Sequence, residues 1–182
     1  MNARTAILTG LAGGALWALT VMVVALARSG DHPRSAGAVA PLALLFPIHG
    51  LSPRDVGEGF GALRALGSRR HQAVDIAAPR GTPVVAATSG RVALLPNHPS
   101  AGLTVEQEDD SGRFCLVYAH LDGFAPGLRE GSSVVRGQVL GYVGSTGNAT
   151  AVAPHLHFAV HRNEEGACWS GTPLDPEPLF EP

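Results

Sequence analysis

The sequence predicts a mainly β fold, an antiparallel β sandwich or open barrel of short strands, preceded by one N-terminal transmembrane helix. Three observations carry this. From Thr82 onward, short alternating or β-branched apolar runs recur between turn signals. Helical periodicity is scarce beyond the N-terminus, in a chain with 23 Gly and 14 Pro. And residues 5–27 carry no charge at all, a run long enough to cross the hydrocarbon core of a bilayer as a helix.

In chain order, the N-terminal segment (residues 1–28) is read as a transmembrane anchor or a signal segment. Its length favours an anchor over a secretory apolar region, which is usually shorter. Ala25-Leu26-Ala27 nevertheless offers a site for signal cleavage. Arg4 precedes the run, and Arg28 and Arg34 follow it, so the positive charges set no orientation. Residues 29–45 are rich in Gly, Ala and Pro and read as a linker. The folded part is placed at 46–182, opening with a strand in "LALLFPIHG".

"SPRDVGEGFGALRALGSRR" is expected to be a loop over the sheet with one helical turn, because its Gly spacing argues against a long helix. Strands are expected at Thr82–Ala87, Gly90–Leu95, Leu103–Glu108, Phe114–His120, Val134–Val135, Val139–Gly144 and His155–Val160. "DDSGR" reads as the hairpin turn between the third and fourth of these.

Composition excludes some functions. The net charge is −2 with no basic run, so nucleic acid is not an expected partner. All thirteen basic residues are Arg. The Gly-Thr-Pro-Val and Val-x-x-Gly-x-x-Leu-Gly patterns also occur in biotinyl and lipoyl carriers, but a carrier needs a Lys to modify and this chain has none.

The chemistry concentrates in three motifs: His71 and Asp75 in "HQAVDIAAPRGTPV", His120 in "VYAHLDG", and His155 and His157 in "APHLHFAV". Two imidazoles and a carboxylate can hold one zinc and leave a position open for water; two further imidazoles are then free to move protons. His155 and His157 share one face of a strand by their two-residue spacing. His71 and Asp75 are read as flanking a turn, since "APRGTP" breaks any helix. A lone His on a half-apolar strand is more often a hydrogen-bonded structural residue, and His32, His49, His98 and His161 receive that reading. The joint occurrence of the other residues beside strand-like runs sets them apart.

These motifs resemble those of the lysostaphin-type zinc metallopeptidases, bacterial cell-wall endopeptidases. The matching stretches are His71-Gln72-Ala73-Val74-Asp75-Ile76-Ala77-Ala78-Pro79, Tyr118-Ala119-His120-Leu121, and "VRGQVLGYVGSTGNAT" followed by "PHLHF", in the family's order. The one departure is Ala73, where Gly is usual; it deletes no ligand. The resemblance implies the duplicated hybrid motif fold, with the site in a groove across the sheet. It implies His71, Asp75 and His157 as ligands of one zinc per chain, and His120 and His155 as the catalytic pair.

The implied activity is hydrolysis of peptide cross-links in peptidoglycan, at the cell envelope. A non-catalytic wall-binding or hydrolase-regulating relative that retains the zinc site is the alternative. A peptidase acting on small Gly-rich peptides would share the chemistry. The cytoplasmic membrane is expected as a partner through the N-terminal helix, with the catalytic domain outside.

Ser145, Thr146 and Asn148 in "GSTGNAT" are expected to bond substrate backbone, with a purely connecting role as the alternative. Tyr118 shares the His120 face if the strand is regular; it is read as packing or as a substrate contact. Arg69 and Arg70 are read as solvated, with a substrate carboxylate as the alternative partner. Cys115 and Cys168, the only cysteines, are a candidate disulfide in an oxidising compartment.

Overall fold

A computed structural model describes residues 42–64, 67–163 and 168–182. The predicted transmembrane run lies outside these residues. Among the described residues no helix is long and apolar enough to cross a membrane.

The described chain is almost entirely antiparallel β structure. Thirteen strands follow in order: β1 (Val56–Glu58), β2 (Leu63–Arg64), β3 (Arg69–Arg70), β4 (Val74–Ala77), β5 (Pro83–Val85), β6 (Gly90–Leu94), β7 (Asn97–His98), β8 (Gly102–Asp109), β9 (Phe114–Phe124), β10 (Ser133–Val134), β11 (Val139–Val143), β12 (His155–Arg162) and β13 (Pro173–Leu174). All seven strands expected from Thr82 onward are present, with ends shifted by no more than four residues. The "DDSGR" turn does join β8 to β9, and the Asp109 carboxylate accepts from the backbone N–H groups of Ser111, Arg113 and Phe114.

Three expectations are corrected. "LALLFPIHG" is not a continuous strand: Leu44 bridges to Phe180 and Ile48 to Val84 as isolated pairs, and Leu44 is already fully buried. The segment before His71 is more structured than a loop. It holds a 3-10 turn at Pro53–Asp55, then β1 paired to β4, then the small hairpin β2–β3. Asp75 does not flank a turn but sits within strand β4.

The main sheet runs β1-β4-β12-β9-β8-β6-β10, with β13 added beside β12. Its middle strand, β9, changes partners along its length. From Phe114 to Ala119 it pairs with β12, and from Leu121 to Phe124 with β11. The fork between these partners lies at His120. On the other edge, Leu103 and Val105 of β8 face Leu121 and Tyr118 of β9, so β9 carries one extra residue there. That is a β-bulge, and His120 has the positive φ, 61°, that such a residue can take.

The two faces of the sheet differ. One packs the main core: Val74 and Ile76 of β4, Leu116 and Tyr118 of β9, and Leu156, Phe158 and Val160 of β12. The other carries small residues, Ala73, Val117, Ala119 and Ala159, with the Cys115–Cys168 pair. The His155 and His157 side chains turn to this second face, because they alternate with the core residues of β12.

Candidate metal centre and active site

Cross-strand register assembles the site. Asp75 pairs with His157, and His157 pairs with Ala119, so three neighbouring strands contribute to one row. His71 reaches the same point from the turn before β4; its backbone is fixed by hydrogen bonds to Ala62 and Gly61. The result is a tight triangle. His157 Nδ1 lies 2.9 Å from Asp75 Oδ1 and 3.2 Å from His71 Nε2, which is 3.3 Å from Asp75 Oδ1.

Two imidazoles and one carboxylate form the protein share of a catalytic zinc site. At bonds of about 2.0 Å, one tetrahedral face has edges of about 3.3 Å. The triangle has nearly those edges. Without a cation the atoms would compete for too few protons. The residues present therefore fit zinc, and among the described residues this is the group that can hold a metal.

Charge is balanced locally. Burial alone would push the Asp75 carboxyl up. Hydrogen bonds with His157 and His71, the charge of His157 and the Arg64 guanidinium outweigh it and hold that carboxyl well below the usual carboxylate range. Arg64 is the residue the sequence did not point to. Carried on β2, it donates to Asp75 Oδ2, comes within 3.2 Å of His71 Nε2, and donates from Nε to Glu58 at 2.9 Å. Arg69 and Arg70, in contrast, are exposed, and Arg70 bonds the Gly61 carbonyl.

His120 and His155 stand beside the triangle, with ring centroids 4.9 Å apart and His120 5.7 Å from His157. Each is anchored the same way. His120 Nδ1 lies 2.8 Å from the Thr146 carbonyl, and His155 Nδ1 lies 3.0 Å from the Ala153 carbonyl. A carbonyl only accepts, so Nδ1 carries the proton in both and, in the neutral ring, Nε2 keeps its lone pair. Burial pushes the His120 pKa down, and the nearby His155 and His157 add to this. The Thr146 carbonyl and Asp75 oppose it, leaving a value of about 4. His120 is therefore neutral at pH 7.

Two expected substrate contacts are corrected. Tyr118 is fully buried in the core; its hydroxyl donates to Gln107 Oε1 at 2.8 Å and accepts from the Ala87 N–H at 2.9 Å. Burial raises its pKa and the Ala87 bond partly offsets this. The bulge is the reason: the extra residue turns His120 to the face opposite Tyr118, so the two-residue spacing no longer means a shared face.

Thr146 uses its hydroxyl internally, accepting from Leu103 N–H at 2.9 Å and donating to the Leu121 carbonyl at 2.8 Å. It positions His120 and leaves no hydroxyl for a ligand. Ser145 Oγ is buried without a partner, and Asn148 is exposed on the same loop.

Ala73, at the position usually Gly, is fully buried in the small-residue cluster. Cys115 and Cys168 are disulfide-bonded, with Cα atoms 5.2 Å apart.

Residues 69–176 match the model of Peptidase family M23. Among curated proteins, the chain is 34% identical over 125 residues to the L-Ala--D-Glu endopeptidase of Bacillus subtilis, covering 65% of this chain and 37% of that protein. It is 38% identical over 90 residues to the peptidoglycan DD-endopeptidase ShyB of Vibrio cholerae, covering 50% of this chain and 20% of that protein. The chain thus spans well under half the length of these relatives. Among solved structures, the catalytic domain of the antimicrobial peptidase lysostaphin from Staphylococcus simulans superposes with a TM-score of 0.60 at 30% identity, over 70% of this chain and 93% of that domain. The likeness covers both the strands and the motifs that build the site, and the chain belongs to peptidase family M23.

Proposed function

We propose that this chain is a zinc-dependent endopeptidase that hydrolyses peptide cross-links of bacterial peptidoglycan at the cell envelope. The triangle of His71 Nε2, Asp75 Oδ1 and His157 Nδ1, flanked by two imidazoles anchored through Nδ1, is the observation that carries the reading. The relatives named for peptidoglycan and stem-peptide cleavage support the substrate class.

His71, Asp75 and His157 would hold one zinc. Bound there, zinc supplies Lewis-acid polarisation of the scissile carbonyl and a water acidified toward neutral pH. His120 and His155 divide the proton work at Nε2: one takes the proton of the attacking water through its lone pair, and the other, once protonated there as well, would donate to the developing oxyanion or to the leaving amine. Of the loop residues, the exposed Asn148 would bond the backbone of the peptide, whereas Ser145 Oγ is buried. Residues 1–28 would tether or export the catalytic unit, and the segment after them would act as the linker.

The test is zinc content together with release of new amino termini from peptidoglycan by the full chain and three variants. His120→Ala and His155→Ala should keep one zinc and lose turnover by about 10²–10⁴-fold; His157→Ala should lose both. A His157→Ala chain with full zinc would sink the ligand assignment. Bound zinc without cleavage of any wall preparation would replace hydrolysis with wall binding.

A further inference from the structure

The face of β12 that carries His155 and His157 continues through Ala159 to His161. There the His161 ring meets that of Trp169, with centroids 5.8 Å apart. Trp169 directly follows Cys168, whose bond to Cys115 ties it to the central strand β9. Between the metal ligands and this disulfide lies the floor of buried small residues. Beyond the floor is a cleft of about 440 Å³ whose lining includes Trp169, His98, Glu106, Glu108 and Arg91.

These groups have different tasks. Glu106 is only 3% exposed, and its carboxylate accepts from the indole N–H at 2.8 Å, which fixes the plane of the ring. Trp169 itself is 42% exposed. His98 stands edge-on to it at 6.3 Å. Arg91 and Glu108 pair at 2.6 Å. A ligand therefore meets a fixed, partly bare aromatic ring rimmed by donors and acceptors. Glu108 is paired with Arg91, and Glu106 is buried behind the indole with His98 Nε2 3.8 Å away, so neither carboxylate is openly presented to a cationic amine. A neutral sugar fits: its C–H face packs on the ring and its hydroxyl and acetamido groups bond the rim.

We propose that the Trp169 cleft is a saccharide subsite, holding a ring of the glycan strand while the attached peptide reaches the metal centre. This rests on the reading of the chain as a peptidoglycan endopeptidase. The spacing agrees with it. His157 and His161 are four residues apart on one strand, or about 13 Å. Trp169 lies beyond His161, with ring centroids 5.8 Å apart, and an extended peptide covers about 3.3–3.6 Å per residue, so the bond at the metal lies at least about four residues from the sugar.

The test is calorimetric titration of the full chain, in detergent micelles, with peptide-free glycan strands. Saturable binding is expected. Trp169→Ala should weaken it about tenfold or more, and Trp169→Phe much less, since an aromatic face remains. Should the alanine variant melt early, Arg91→Ala, which leaves the indole in place, must weaken binding by about threefold. Trp169→Ala should also raise KM for intact peptidoglycan far more than for a glycan-free cross-linked peptide.

No binding of peptide-free glycan by the unmutated chain overturns the subsite. So does equal binding by a folded Trp169→Ala chain, or displacement of the glycan by a simple alkylamine. A chain that binds glycan but cleaves nothing keeps the subsite and loses the peptidase reading; one that cleaves but does not bind glycan does the reverse.

Discussion

Arg64 touches the same carboxylate that completes the proposed metal triangle, and its guanidinium offsets part of that negative charge. Removing it leaves Asp75, which is mostly buried, short of a charged donor. In chelator, Arg64→Ala should lose about 1–2 kcal/mol of stability. Added zinc should then raise the melting temperature of the variant more than that of the unmutated chain, because the ion replaces the lost cation. An equal zinc-induced rise in both would show that Arg64 contributes nothing to this charge balance.

His161 gives a second residue-scale prediction. Burial lowers its pKa from the ordinary 6.5, the charge of His157 lowers it further, and the Gly171 carbonyl opposes both. The unfolded chain binds that proton more readily, so stability rises with pH through the window just below 6.5 and is lost as pH falls. His161→Asn keeps a donor for the Gly171 carbonyl and removes the titration. Its urea midpoint should drop less between pH 7.5 and pH 5.5 than that of the unmutated chain. The five motif residues were legible because metal and proton chemistry admit few residue types. Arg64 was not, because nothing in a Gly-broken segment shows that β2 and β3 fold its side chain back onto Asp75.

At the scale of elements, the bulge in β9 and the β11–β12 loop act as one device. Gly102 and Gly147 both have positive φ and meet back to back: a Cβ on Gly102 would lie 2.2 Å from Thr146 Oγ1 and 2.6 Å from Gly147 N. That contact seats Thr146, whose carbonyl holds His120. Gly102→Ala should therefore displace His120 and cut turnover by at least about tenfold with zinc retained. Unchanged turnover would mean that the loop does not set His120. The disulfide is a second device, closing a sequence separation of 53 residues. By chain entropy it contributes about 4 kcal/mol. Reduction should lower the urea midpoint accordingly, and an unmoved midpoint would count against it. The strands themselves were legible from alternation. The bulge was not, since one extra residue leaves no mark on composition, and the shared face expected for Tyr118 and His120 failed with it, while the packing of Tyr118 held. Thr146 failed for a related reason: its hydroxyl bonds two backbone groups far away in sequence.

For the molecule as a whole, the site joins strands that chain order keeps apart. β4 and β12 are neighbours in the sheet, and β9 completes the row between residues far from both in sequence. A metal bound there links these strands in the folded state only, so chelation should lower the melting temperature. The stability lost should be about 4 kcal/mol when free zinc had stood a thousandfold above its Kd. An unchanged melting curve would mean that the triangle binds no metal. The antiparallel class was legible in the sequence, whereas the order of strands depends on pairings between distant residues that local patterns do not encode.

That distance also governs timing. His157 follows His71 by 86 residues and belongs to one of the last strands to be made. A nascent chain holds His71 and Asp75 early, yet two of the three proposed ligands on an unclosed sheet would make a poor metal site. On the proposed function, hydrolysis would begin only once synthesis has passed β12 and that strand has inserted between β4 and β9. A chain released short of that point would lack a ligand of the proposed metal site and, with it, the proposed hydrolysis.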